Sequence, residues 1–456
     1  MLLKLYRTFM FNHSQIKSFG LGLLACSVYV LSPAAVADSP DISVSGFASF
    51  AYSKAINEDA QDVAIDSSGN TEKWAGLNNL TEDGEYRDFN KFGLRLNADL
   101  DHNLSLGAQL IANGEDDYDP NFDWLYVQYN FTPNVSLKLG RTTAPLFMYS
   151  DFLDTTYAYQ WIEAPYAVYG SGTIKTNEGF MLDWKTEIGS GWSSLLTVFG
   201  GQVDEFVPEL QDNVTINNGI GLAWDVEFDW LRLRAVHYIG KSTVAGIGSQ
   251  LENSINAGLL KVSGNLSEPA ISQNLFNSSF DSYNDMAWED SDAAYTGLGV
   301  GLDFEYIFFN AEATRVDIEN TATLGLLDSW YTMIGARLPG DVSIAFTYSE
   351  NDDEKSKYDF NQLTAELINY YNSVSPTLGD SISPFIKNIS DSVLQTLQAS
   401  RYEKTTTYTL SGRWDFHPSA SLKLEYLVQD RNQVDFNLED VNRKPSAYRA
   451  GIDLVF

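Results

Sequence analysis

Apolar and polar residues alternate along most of this chain. Phe92, Leu94, Leu96, Ala98 and Leu100 alternate with Gly93, Arg95, Asn97 and Asp99. In the last nine residues, Tyr448, Ala450, Ile452, Leu454 and Phe456 alternate with Arg449, Gly451 and Asp453. Side chains of a strand point to its two faces in turn, so a period of two predicts strands with one apolar and one polar face. The pattern recurs about sixteen times. The predicted strands are 42–52, 92–100, 104–112, 124–131, 135–141, 179–188, 192–201, 219–227, 230–241, 297–306, 308–316, 330–338, 342–349, 405–416, 421–429 and the C-terminal segment.

Two kinds of connection alternate between them. After each even strand the chain turns within about two to five residues, as at Asp101-His102-Asn103, Thr132-Pro133-Asn134 and His417-Pro418-Ser419. Connections after the odd strands are longer, from about ten to over fifty residues. One face of every strand carries Leu, Val, Ile and aromatic residues, and the other carries Gly, Ser, Asn, Arg, Lys, Asp and Glu. Hydrocarbon cannot satisfy that second face, whereas a closed sheet with a wet interior can. The expected fold class is therefore all-β: a closed antiparallel transmembrane β-barrel of about 16 strands, with short periplasmic turns and long extracellular loops. Tyr129, Phe131, Trp192, Trp230, Tyr306, Trp330, Trp414, Phe416 and Phe456 fall near strand ends and are read as aromatic girdles. No fixed repeat period points to a solenoid or propeller. Downstream of the amino terminus no segment offers about 18 uninterrupted apolar residues, so no helical span is predicted.

The amino terminus changes the picture of location. Residues 1–37 carry Lys4, Arg7 and Lys17, then an apolar run from Leu21 to Leu31, then Ala35-Val36-Ala37 ahead of Asp38. This is the layout of a cleaved secretory signal peptide. The only cysteine, Cys26, lies within it, so the exported chain has no thiol nucleophile, disulfide or cysteine metal site. The whole chain of 456 residues has 61 acidic and 29 basic residues, a net of −32. Removing the signal leaves 26 basic residues and a net of −35. Such a charge repels nucleic acid, attracts cations and suits a surface where divalent cations bridge lipopolysaccharide.

Three places carry a family resemblance: Ser45-Gly46-Phe47-Ala48-Ser49 in the opening strand, Leu139-Gly140-Arg141 before a long third loop, and the terminal Phe456. On these, nearly the whole exported chain resembles a Gram-negative outer-membrane porin of the general-diffusion type. The third loop, with Ala144-Pro145-Leu146-Phe147-Met148-Tyr149 and Tyr157-Ala158-Tyr159-Gln160-Trp161, is similar to that of porin-like proteins from marine gamma-proteobacteria. The resemblance implies a barrel domain at 38–456, with loop three (about 141–178) folded into the lumen; loop seven (about 350–404), partly helical by its spacing, is longer than in a typical general porin. The resemblance also implies a homotrimer in the outer membrane, in contact with lipid and lipopolysaccharide. The expected function is a water-filled channel for passive diffusion of ions and small hydrophilic solutes.

A pore discriminates by width and by charge at its narrowest level. Arg95 and Arg449 fall near mid-strand on the polar face, Lys138 is on the fifth strand, and Asp151, Asp154 and Glu163 are on loop three. The resemblance implies that such acids oppose basic wall residues at a constriction, so these six are the candidate eyelet. Asp151 and Asp154 capping a short loop helix is the plainer alternative. Acidic runs at 115–119 and 281–292 lack calcium-loop spacing and are read as solvated loops. Leu363, Leu367, Tyr370 and Val374, then Ile382, Phe385, Ile389, Val393 and Leu397, recur at helical spacing within loop seven. His102, His237 and His417 accompany no nucleophile, zinc or phosphate-loop motif, so no enzyme and no cofactor are expected. A substrate-selective porin for a sugar or other small nutrient remains a rival, with Trp124, Tyr126, Tyr238 and Tyr331 facing inward. So does a non-conducting surface barrel or adhesin. Inward glycines such as Gly297, Gly299 and Gly301 favour an open lumen.

Overall fold

The computed structural model describes residues 40–56, 61–65, 71–75, 84–87, 89–114, 117–170, 174–189, 191–207, 212–244, 288–319, 326–354, 365, 369, 402–434 and 440–456. The predicted signal peptide, residues 1–37, lies outside the described residues. The strands are β1 (Asp41–Ala55), β2 (Gln61–Ile65), β3 (Thr71–Ala75), β4 (Lys91–Asp101), β5 (Leu104–Asn113), β6 (Asn121–Thr132), β7 (Val135–Thr143), β8 (Thr176–Ile188), β9 (Trp192–Val207) and β10 (Asp212–Phe228). They continue as β11 (Leu231–Thr243), β12 (Ser291–Asp303), β13 (Ile307–Ile318), β14 (Leu326–Leu338), β15 (Val342–Glu354), β16 (Tyr402–His417), β17 (Ala420–Val434), β18 (Asp440–Arg443) and β19 (Ser446–Val455).

All but β2, β3 and β18 form one closed antiparallel barrel of sixteen strands. Each strand pairs with its neighbour in sequence, and β1 pairs with both β4 and β19. The closing seam runs from Phe47 opposite Val455 to Ala55 opposite Ala447. The terminal Phe456 completes it: its carbonyl accepts from Gly46 N at 2.8 Å and its N–H donates to Gly46 O at 3.0 Å. Closure leaves the barrel no open edge, which is what lets a sheet cross hydrocarbon.

Alternation sorts the side chains as the pattern predicts. Leu94, Val127, Leu139, Ile220, Leu222, Leu298, Ile334, Leu410, Leu424 and Ile452 all point outward and are exposed. Each such side chain, surrounded by lipid rather than water, contributes about 1.5–3 kcal/mol. Aromatic pairs gather where strands meet the short turns: Trp192 with Phe228 at 4.8 Å, Trp230 with Phe304 at 5.5 Å and Trp414 with Phe416 at 5.6 Å. A second set, Trp330, Tyr348 and Tyr408, lies toward the loops with centroids 5.0 and 5.3 Å apart. Tyr348 sits six residues beyond Val342 on β15, roughly 20 Å along the strand, so the two girdles bracket an apolar band.

Several connections after odd strands are shorter than the pattern predicts. β9 and β10 continue to Val207 and Asp212, beyond the predicted ends at 201 and 219. The connection between them shrinks accordingly. The alternation weakens there because strands that rise past the membrane no longer need an apolar face. The connection after β17 is itself partly paired, Arg431 opposite Arg443 to Val434 opposite Asp440. The acidic run at 281–287 and the helical spacing in loop seven lie outside the described residues, apart from single helical positions at 365 and 369. No described helix is long and apolar enough to cross a membrane, which says nothing against crossing by strands.

Candidate pore constriction

β7 ends at Thr143 and the chain turns inward. The neck of the inward segment is closed by Ala144 N donating to Lys175 O at 2.8 Å. Between them lie two 3-10 turns, Ser150–Phe152 and Thr156–Ala158, and a short helix, Tyr166–Tyr169. The segment folds inside the barrel because it carries its own apolar surface. Leu146, Phe147, Met148, Trp161, Val168 and Tyr169 are buried against wall residues including Phe199, Tyr295, Tyr331 and Met333. Trp161 meets Tyr331 edge to face at 5.5 Å, and its indole donates to Thr347 Oγ1 at 2.8 Å.

Polar anchors then fix this loop to the wall. Glu312 on β13 accepts from Met148 N at 2.9 Å and from the Tyr169 hydroxyl. Gly299 on β12 leaves room for Met148, whose Cγ lies 2.6 Å from where a Cβ would stand. This inward glycine therefore seats the loop and does not open the lumen, as the pattern suggested. Arg413 donates to the carbonyls of Tyr157 and Tyr159 at 2.7 and 2.8 Å. Lys423 is ion-paired to Asp453 at 2.9 Å and donates to the carbonyls of Thr156 and Trp161. Glu425 accepts from Ile162 N at 2.9 Å. Under this cover the inward residues of β14, β17 and β19 are almost wholly buried, Tyr331 at 0% and Lys423 at 1% exposure.

The loop covers the wall around β6 and β7 less fully. Arg95, Asp123, Trp124, Tyr126, Gln128 and Lys138, on β4, β6 and β7, face inward and are only half-buried. Lys91 pairs with Asp154 of the loop at 3.2 Å. Arg95 donates through Nε to Gln109 and through Nη2 to Thr155 Oγ1 at 2.8 Å. Gln109 in turn donates to Asp123 at 2.7 Å. Lys138 pairs with Asp183 at 3.4 Å and lies over the Tyr126 ring, 5.4 Å from its centroid. Asp151 is exposed at the free margin of the loop, within electrostatic reach of Arg95 and Lys138. Burial works to raise the Asp154 carboxyl, but Lys91, Lys175 and Arg95 outweigh it and hold the group below its ordinary 3.8.

Of the six candidate residues, Arg95, Lys138, Asp151 and Asp154 thus gather around the less covered side. Arg449 and Glu163 meet each other instead. Arg449, 4% exposed, pairs with Glu163 at 2.9 Å and Glu425 at 3.8 Å, and stacks over Phe89 at 4.9 Å. They lie in the seam between loop and wall. Asp151 and Asp154 cap nothing: neither 3-10 turn has a side-chain cap hydrogen bond. Sequence reasoning missed Asp123 because a register shift between β5 and β6 turns both Asp123 and Trp124 inward. The signal was present as a break in alternation, since the exposed Phe122 and Leu125 lie three apart.

Beneath the loop, toward the short turns, a cavity of about 620 Å³ is lined by Met148, Tyr159, Gln160, Arg232, Arg337 and Arg413 among others. Its arginines are matched by acids, Arg337 to Asp303 at 2.6 Å and Arg413 to Asp415 at 2.7 Å. Tyr238 stacks on Phe199 at 5.5 Å and Tyr331 packs on Trp161, so these two inward aromatics are sequestered from Trp124 and Tyr126. His237 lies on the outer face, with Nδ1 2.9 Å from Thr296 Oγ1. No cluster of metal-ligating side chains occurs among the described residues.

No protein-family model matches the chain, and no curated protein matches it. Similar solved structures are outer-membrane proteins. The outer membrane channel DcaP of Acinetobacter baumannii is 10% identical with a TM-score of 0.49, covering 93% of this chain and 100% of that one. The anion-selective porin of Comamonas acidovorans is 13% identical with a TM-score of 0.47, covering 92% and 100%. Salmonella typhi OmpF in complex with daunomycin is 10% identical with a TM-score of 0.48, covering 92% and 98%. At these values the likeness adds nothing to the pairings themselves, which establish a closed, sixteen-stranded antiparallel barrel with one loop folded inside it.

Proposed function

We propose that the protein is an outer-membrane porin, a homotrimer whose protomers each form a water-filled channel for ions and small hydrophilic solutes. The observation that carries this reading is the one-sided seating of loop three. It is bonded to β1, β4, β11–β13, β15–β17 and β19 and leaves the inward residues of β6 and β7 half-exposed. A crescent of lumen then remains between the loop margin and that wall. Its border carries Lys91, Arg95 and Lys138 against Asp123, Asp151, Asp154 and Asp183. Opposed charges at the narrowest level orient passing solutes without a chemical step. With the border nearly neutral, the acidic loops set the preference, concentrating cations at the mouth. Export by a signal cleaved after Ala37, and contact with lipopolysaccharide through bridging divalent cations, complete the reading.

The test is the conductance of refolded protein in planar bilayers, with the reversal potential under a salt gradient. Steps in groups of three with a cation-sided potential are expected. A folded, heat-modifiable barrel that passes no current would falsify the channel, and the adhesin reading would replace it.

A further inference from the structure

Among the described aromatic residues on the inward face of the wall, most are packed away. Tyr238, Tyr295 and Tyr331 are 4%, 6% and 0% exposed, each under loop three or against a neighbouring strand. Trp124 and Tyr126 are different. They stand on the less covered wall, half-buried, with their rings stacked at 5.4 Å and 30°. The platform is built into the sheet. Tyr126 lies across Gly107 of β5, where a Cβ would come within 2.7 Å of the ring. Lys138 steadies the same ring at 5.4 Å. An apolar step at the narrowest level of a wet pore gives up hydration that a serine or asparagine would keep.

The residues beside this step are planar and polar. Asp123, Gln109 and Arg95 form one hydrogen-bonded row ending on Thr155 of loop three. An aromatic face flanked by carboxylate and guanidinium groups, which the buried Gln109 holds in place, suits a ligand with one apolar face and a rim of hydroxyls. That description fits the ring of a neutral sugar, whose C–H groups lie on one face and whose hydroxyls both donate and accept. We infer that Trp124 and Tyr126, with Asp123 and Arg95, form a carbohydrate subsite at the constriction. The inference rests on the channel reading and names a solute class for it.

Maltose and the acyclic polyol mannitol, each added to conducting trimers in planar bilayers, separate the possibilities. Maltose is expected to lower the ion current saturably, while mannitol at equal concentration lowers it no more than its effect on bulk conductivity. In Trp124→Ala the half-blocking maltose concentration rises about tenfold, equivalent to about 1.4 kcal/mol. Trp124→Phe retains part of the block. Should Trp124→Ala fold poorly, Tyr126→Leu takes its place, judged by the same shift. Channels that conduct but respond equally to maltose and mannitol, or equally in wild type and variants, overturn the subsite and leave the porin intact. Block by tetramethylammonium in place of maltose also overturns it, because the rings would then serve cations. Absence of any current is a failure of the channel reading instead.

Discussion

Lys91 and Asp154 show how single residues set the loop margin. Their 3.2 Å pair joins β4 to loop three at the less covered side, with 22% and 15% of the two side chains exposed. Because the Asp154 carboxyl is held below 3.8, its contribution is complete above that value and is lost as pH falls through the depressed one. Acidification below about 3.8 is therefore expected to loosen the margin and make the open-channel current noisier. In Asp154→Asn that acid-dependent noise should already be present at neutral pH; a variant as quiet as wild type throughout sinks this role. Arg95, Lys138, Asp151 and Asp154 could be picked from the chain because charged residues on a strand's polar face, or on an inserted loop, have few places to go. Arg449 was equally conspicuous, yet its destination depended on Glu163 and Glu425 converging from loop and wall. Alternation gives the face a residue points from and not what meets it there.

At the scale of elements, the strands were legible almost to the residue on the turn side. Turns such as 133–134 and 418–419 fall where the pattern places them, because the bilayer enforces alternation up to that edge. On the loop side the constraint ends, and β9 and β10 overrun their predicted ends. Loop three is an element of another kind, a small apolar core held in place by charged pegs. Lys423, Asp453 and the carbonyls of Thr156 and Trp161 make one such peg. Lys423→Met strands a buried carboxylate and frees two buried acceptors, a loss of about 3–5 kcal/mol. The expected result is a lower heat-modification midpoint on gels and frequent current flicker, since the barrel strands remain while the loop detaches. An unchanged midpoint with steady current would show that the apolar contacts suffice alone.

Across the whole molecule, charge is divided by height. The net of −32 cannot reside at the constriction, where three cations face four acids, so it belongs largely to the loops. Neutralising Asp151 alone should then shift the reversal potential by only a few millivolts toward anions, with the cation preference surviving at low salt and fading as screening sets in above about 0.15 M. A full reversal of selectivity in Asp151→Asn would place the filter at the eyelet and refute the division. Total charge is readable from composition, whereas the solute path is not, because it depends on which part of the wall one loop covers.

The seating of loop three also carries an order of events. Its partners Lys423, Glu425, Arg449 and Asp453 belong to the last strands made, and Ser49, whose hydroxyl meets Thr156, belongs to the first. Until the two ends of the chain zip together, the loop can dock only on β11–β16 and lacks the partners that fix its margin. The narrow passage is thus the last part of the protein to exist, and its presence certifies that the cylinder has shut.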